Sequence, residues 1–156
     1  MHHLAPLHHL LKQQSTLTLA TTADDGAPCA AALFYIPDDS FALYWFSSET
    51  SEHSRNLARL PNTAVTICYA TDQWQEIRGV QMRGVSQAVR DQILREKITL
   101  AYVERFHLGD TFAAAITRST LYVFHPAWIR YSDNSQSFGY NFEFKPSERE
   151  RTESFL

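Results

Sequence analysis

Leu4, Leu7, Leu10 and Leu11 recur at helical spacing, and Pro6 suits a first turn, so residues 4–14 predict a short amphipathic helix laid against one side of the fold. The period then changes. LTLATT (17–22) and APCAAALFYI (27–36) are strand-like runs around Asp24-Asp25-Gly26, where the glycine supplies the positive φ of the turn, and together they predict a β-hairpin. A second turn at Pro37-Asp38-Asp39-Ser40 leads into FALYWFS (41–47), so the three runs predict a meander. In the last of them Phe41, Leu43 and Trp45 alternate with Ala42, Tyr44 and Phe46, which leaves no polar face. Such a strand must be covered on both sides, which predicts a closed or half-closed antiparallel barrel with a helix or a second subunit packed outside it.

Residues 48–60 open with several N-cap candidates and end at Pro61-Asn62, predicting a short helix. TAVTICYA (63–70) and EIRGVQMRGVSQAV (76–89) follow as strands, the second interrupted by Gly79 and Gly84, which mark bulges or a close approach of the backbone. Asp91 caps a longer helix that runs to Phe106 and stops at His107-Leu108-Gly109. Residues 110–117 predict a helical turn, and 119–133 the last two strands, with Pro126 between them at an edge or bulge. The expected domain is 1–144, followed by a charged, flexible tail at 145–156. The fold class is α+β, a mostly antiparallel sheet with flanking helices.

Composition narrows the function. With 156 residues, 44% of them hydrophobic, the chain has enough core for one domain without staples. Cys29 and Cys68 lie in apolar runs without CxxC spacing, which points to a reducing compartment. A formal net charge of −3 argues against a nucleic-acid binder. No secretory leader is recognisable in residues 1–12, and no apolar run reaches the ~18 residues of a membrane span, so the expected location is cytoplasmic. Aromatic residues, at 13%, collect in the strand-like segments, as if something large is packed or stacked there.

His2, His3, His8 and His9 lack a companion Cys or carboxylate before Asp24, so they read as solvated helix residues and not as a metal site. No GxSxG elbow, Walker loop or dinucleotide glycine fingerprint is present. What remains is the junction Trp45-Phe46-Ser47-Ser48-Glu49-Thr50-Ser51-Glu52-His53-Ser54-Arg55-Asn56. Hydroxyls and free backbone amides at a helix start form an anion site. Capping alone needs one hydroxyl, whereas Ser47, Ser48, Thr50 and Ser51 offer four beside His53. Glu49 and Glu52 repel a phosphate unless they point away.

Four segments in this order, TLATTADDGAPCAAALFYI, LYWFSSETSEHSRNLARLPNTAVTI, IRGVQMRG and WIRYSDNSQSFG, with the AYVERF helix end, resemble the FMN-binding split-barrel family of pyridoxamine 5'-phosphate oxidase, and most closely its YhbP-like bacterial subfamily. The resemblance runs from about Thr16 to Phe142. It implies an antiparallel split β-barrel and a homodimer with FMN at the subunit interface. It places Phe46 and Ser47 at the flavin and its phosphate, with Ser48, Ser51 and Ser54 around the phosphate and His53 where many members carry a lysine. Leu33 and Phe34 fall on the strand beneath the ring system, and Trp74, Arg78 and Gln81 on or beside the fifth strand. Trp128 and the loop 132–139 are expected from the partner subunit.

The chain departs from the family at the cations. Ala31 stands where the oxidase has arginine, Glu52-His53 where it has Arg-Lys, and the substrate-binding Arg-x-His pattern has no counterpart. Charge-assisted hydrogen bonds are about twice as strong as neutral ones, so weaker FMN binding is expected and vitamin B6 oxidation is disfavoured. Two functions stay open: an FMN-dependent oxidoreductase of unassigned substrate and catalytic residues, or a non-catalytic binder of flavin, heme or another planar ligand on the same dimeric scaffold. Either takes a small molecule, with no nucleic acid, membrane or metal partner.

Overall fold

A computed structural model of the chain describes residues 4–146. In chain order the elements are α1 (Ala5–Gln13), β1 (Thr16–Thr22), β2 (Pro28–Phe34), β3 (Ile36–Pro37), β4 (Leu43–Ser47), α2 (Glu52–Arg59), β5 (Asn62–Cys68), a 3-10 turn at Trp74–Glu76, β6 (Arg78–Ala88), α3 (Gln92–Phe106), α4 (Asp110–Thr117), β7 (Thr120–Asp133) and β8 (Asn141–Phe144). The strands form one sheet in the order β2-β1-β5-β6-β7-β4-β3, with β8 added alongside β7, and every pairing is antiparallel.

The two ends of that order meet in sequence: β2 and β3 are separated only by Tyr35, so the sheet has to curl until its opposite edges come together. This makes the split antiparallel barrel that the sequence predicts. It also corrects the expected meander, because β4 pairs with β3 and β7 and not with β2. Tyr35 is fully buried, and its hydroxyl donates to the Leu11 carbonyl at 2.7 Å. Burial pushes its phenol far above the ordinary tyrosine range. From α3, Tyr102 donates to the Phe34 carbonyl at 3.2 Å. The Arg105 guanidinium donates to Lys12 and Gln14 carbonyls at 2.8 and 2.6 Å, satisfying groups at the end of α1 that have no helical partner.

Strand alternation directs Leu17 and Leu19, Val65 and Ile67, Val80 and Met82, and Leu43 and Trp45 into one core, which α1 closes with Leu7, Leu10 and Leu11. The other face of β4 is covered within the same chain: Ala42 and Tyr44 pack with Ile98 of α3, Leu121 and Val123. The apolar double face of this strand is therefore explained by a helix without calling on a second subunit. The strand also starts later than expected, since Phe41 takes a positive φ of 68° in a turn held by the Asp38 carboxylate, which accepts from Ser40 N at 2.8 Å and Ala42 N at 2.9 Å.

The two strands expected at 119–133 are one strand of 14 residues. Pro126 sits between Phe124, where pairing with β4 ends, and Ile129, where pairing with β8 begins, so its missing N–H removes no bond to those neighbours. On the β6 side the register slips between Arg83 and Gly84, opposite Pro126. A Cβ on Gly84 would stand 2.0 Å from the His125 carbonyl oxygen. The expected helical turn at 110–117 is a full helix, α4. The expected tail lies, from residue 147 onward, outside the described residues.

Two substitutions test the closure. Tyr35→Phe is expected to lower unfolding free energy by about 1–3 kcal/mol, because the Leu11 carbonyl loses its buried donor. Gly84→Ala must displace backbone and is expected to cost about 3 kcal/mol. Urea unfolding measures both, and a Gly84→Ala protein within about 0.5 kcal/mol of the parent, the scatter expected at an unconstrained surface position, would refute the close approach at the bulge.

Candidate functional site

Residues paired directly across an antiparallel sheet share a face, so the register defines what the barrel shows outward. One row reads Ala30, Ala20, Ala64, Arg83 and Trp128, and the next Ala32, Thr18, Thr66, Gln81 and Arg130. These side chains are exposed or half-buried. Cavities of about 470 and 790 Å³ lie over the rows. The floor is flat because it is built from methyl and hydroxyl groups. One wall is fixed: the Arg83 guanidinium lies 4.1 Å from the Trp128 ring centroid, Trp128 Nε1 donates to Glu143 at 3.2 Å, and Glu143 pairs with Arg130 at 3.7 Å.

At the start of α2 the hydroxyls gather around an imidazole. Ser51 is the N-cap, accepting from Ser54 N at 3.4 Å. Ser47 Oγ lies 2.7 Å and Ser51 Oγ 3.1 Å from His53 Nε2, and Ser51 Oγ donates to Ser54 Oγ at 2.7 Å. Ser47, Ser51, His53 and Ser54 thus form one cluster, while Ser48 turns to the Thr50 hydroxyl at 2.8 Å. The helix is held across the barrel end by Asn56, which donates to Thr21 Oγ1 at 3.1 Å, and by Arg59, which donates to the Thr22 and Ala23 carbonyls.

The electrostatics of the cluster are close to neutral. Burial lowers the His53 pKa below its usual 6.5, and the Glu52 carboxylate only partly offsets this. Both acidic neighbours are engaged elsewhere: Glu49 accepts from Thr120 at 2.9 Å and Glu52 from the Cys29 thiol at 3.8 Å. Of the nearby cations, Arg95 is committed and Arg55 in part. Arg55 donates to the Thr50 carbonyl, and Arg95 donates to the Ile116 and Ser119 carbonyls while lying over the Phe46 ring.

The remaining expected residues are distributed over the two faces. Leu33 packs against the barrel core, whereas its neighbour Phe34 lies on the opposite side of the strand against Phe106, with centroids 4.7 Å apart. Phe46 makes an edge contact with Tyr102, whose burial pushes its hydroxyl up to about 12. Gln81 stands on the outer face in line with Thr66. Trp74 meets Phe138 of the same chain at 5.6 Å, and Arg78 lies over Tyr69. Arg83 was not among the expected residues, since a charge on an alternating strand carries no signal until the register sets it beside Trp128.

Because the folded state holds His53 below 6.5 while the unfolded chain titrates near it, protonation favours unfolding. The His53 contribution to stability is therefore present above pH 6.5 and is lost as pH falls through the lower folded value. Proton NMR should place the His53 midpoint below 6.5, and Glu52→Gln should lower it further. A midpoint above 6.5 in the folded protein would contradict the burial of the ring.

A family model described as pyridoxamine 5'-phosphate oxidase matches residues 6–133. A UPF0306 protein of Klebsiella pneumoniae, representing the YhbP-like group, is 27% identical over 140 residues, covering 89% of this chain and 90% of that protein. Among solved structures, a conserved hypothetical protein of Mycobacterium tuberculosis superposes with a TM-score of 0.76 at 20% identity over 92% of each chain. HutZ, a heme storage protein of Vibrio cholerae, does so at 0.66 with 21% identity over 79% of this chain and 89% of its own. A heme-binding protein of Mycobacterium smegmatis reaches 0.70 at 18% identity over 91% of this chain and 57% of its own. The structural likenesses establish the split barrel, and with the family model spanning most of it, the chain belongs to the pyridoxamine 5'-phosphate oxidase family.

Proposed function

We propose that the chain is a flavoprotein that holds FMN on the outer sheet face at the interface of a homodimer, and that it acts as an FMN-dependent oxidoreductase on a substrate other than vitamin B6. The observation that carries this reading is the Ser47, Ser51, Ser54 and His53 cluster at a helix start, with both neighbouring carboxylates drawn off by Thr120 and Cys29. These residues fit a phosphate by number of donors and by the helix dipole, but the fit is through neutral groups. When bound, the flavin supplies hydride or electron transfer, so the protein needs no catalytic acid-base pair of its own.

Each residue then has a positioning role. Ser47, Ser51, Ser54 and His53, with Ser48 beside them, hold the phosphate. Phe46 and Phe34 border the ring, Leu33 contributes backbone, and Gln81 with Thr66 and Thr18 offers hydrogen bonds from the sheet face. The heme-binding neighbours raise the alternative of a non-catalytic binder. A heme commonly takes an axial His, Cys, Met or Tyr. The two outer rows consist of Ala, Thr, Gln, Arg and Trp, which favours the flavin.

Adding FMN to the protein and removing the excess by gel filtration should leave the yellow flavin bands. His53→Ala is expected to weaken FMN binding about tenfold or more, the loss of one hydrogen bond to a charged group, while riboflavin, which lacks the phosphate, is unaffected. Glu52→Lys should tighten FMN binding. A colourless protein, or a Soret band in place of the flavin bands, overturns the FMN reading. Equal losses for FMN and riboflavin would remove His53 from the phosphate.

A further inference from the structure

Between α2 and the far ends of β6 and β7 lies a cavity of about 550 Å³ that the flavin reading does not use. Neither Ser47, Ser51 nor His53 lines it; Ser54 is the residue it shares with the cluster above. Its volume falls within the roughly 300–1,000 Å³ of small-molecule sites.

Two groups on its wall have unspent donors. Tyr122 is 4% exposed, its ring fixed by stacking on Trp45 at 5.9 Å, and its hydroxyl has no hydrogen-bond partner among the described residues. Ser86 is fully buried and shares a single 2.7 Å hydrogen bond with Thr63. Two hydroxyls joined by one bond use one of their two protons, so one O–H is left over. The Tyr122 oxygen is not among the buried polar atoms that lack a partner, so it is reached from the cavity and can donate there, beside the O–H left over from the Ser86–Thr63 pair.

The charges on the same wall select the partner. Arg55 and Arg90 line the cavity, and Arg90 makes no ion pair or hydrogen bond among the described residues. Arg55 gives one N–H to the Thr50 carbonyl and retains its others. Glu49, the one carboxylate of the lining, already accepts from Thr120 at 2.9 Å. Two guanidinium groups, a phenol and a serine–threonine hydroxyl pair are complemented by a group that only accepts and carries negative charge. Leu57 and Ala58 leave an apolar side for the rest of such a molecule.

We propose that this cavity is a second binding site, separate from the sheet face, for a small molecule bearing an oxyanion, either a carboxylate or a phosphoryl group. The oxyanion takes hydrogen bonds from Tyr122 and the Ser86–Thr63 pair and charge from Arg90 and Arg55.

The test is an amide NMR titration of the full-length protein with inorganic phosphate and, separately, with succinate. At least one probe should give saturable shifts at residues 86–90 and at Tyr122; phosphate alone identifies a phosphoryl ligand, succinate alone a carboxylate, and both the shared oxyanion. Arg90→Glu and Tyr122→Phe should each weaken that binding by about tenfold or more, one charge-assisted hydrogen bond. Arg90 is exposed and Tyr122→Phe keeps the stacked ring, so both variants should fold. His53→Ala should leave the affinity at residues 86–90 within about twofold, since His53 does not line this cavity. Shifts absent there with both probes, shifts confined to residues 47–53, or affinities unchanged in both variants would overturn the proposal.

Discussion

The closure of the sheet at Tyr35 is the constraint on which the rest depends. A strand pair joined by one residue but lying at opposite edges of a sheet cannot stay flat, and the curl this forces is what creates an inside and an outside. The crossing also brings backbone carbonyls to places where no strand can pair with them. Leu11, Phe34, Lys12 and Gln14 all present such groups, and Tyr35, Tyr102 and Arg105 answer them. Polar atoms of three side chains thus tie α1, the sheet edges and α3 into one unit. The Leu11 bond is buried, so losing its donor alone would cost about 1–3 kcal/mol, and the part-buried bonds add to the closure.

From that closure the site follows by position. The barrel end is narrow enough for α2 to lie across it, and Asn56 with Thr21 fixes the helix there through a buried side-chain bond. Its N-terminus then falls where β4 ends, so Ser47 and Ser51 meet at 3.2 Å although one closes a strand and the other opens a helix. Alternation along β1, β5 and β6 puts large side chains inside and Ala, Thr and Gln outside, so the same pattern that fills the core produces a flat external floor. Core and candidate site are two faces of one register, and a one-residue slip would destroy both.

Much of this was legible in the sequence because it is local. The three leucines of α1 with Leu4 at its N-cap, the glycine at φ 85° in the first hairpin, and the hydroxyl-rich start of α2 are each specified within a few residues. The doubly apolar β4 correctly demanded cover on both sides. The errors have a common physical origin in pairing, which sequence periodicity does not encode. APCAAALFYI reads as one strand, yet its last residues belong to the opposite edge of the sheet. Pro126 reads as a break because its neighbours on either side cannot be known in advance. Arg83 and Trp128 are far apart in sequence and become one feature only through register. For Tyr122 the missing signal is a partner that does not exist among the described residues, which no pattern along the chain can announce.

Under the flavin reading, the neutral cluster redistributes where binding energy must come from. A phosphate held by lysine and arginine contributes through charge-assisted bonds, and its hold weakens as salt screens them. Here the donors are hydroxyls, backbone amides and an imidazole whose charged form is disfavoured by burial. Bringing a dianion beside that ring reverses the balance, because an opposite charge raises the pKa that burial lowered. Part of the phosphate's binding energy is therefore spent on drawing a proton onto His53, and the remainder is smaller than in a site with fixed cations. The ring system and the flat alanine and threonine floor must then supply the larger share, through apolar contact that salt does not screen. A site built this way discriminates less between flavins with and without a phosphate than one built on lysine. Its preference for the phosphorylated form grows as the pH falls toward the range in which His53 is protonated, for as long as the phosphate itself keeps its second charge.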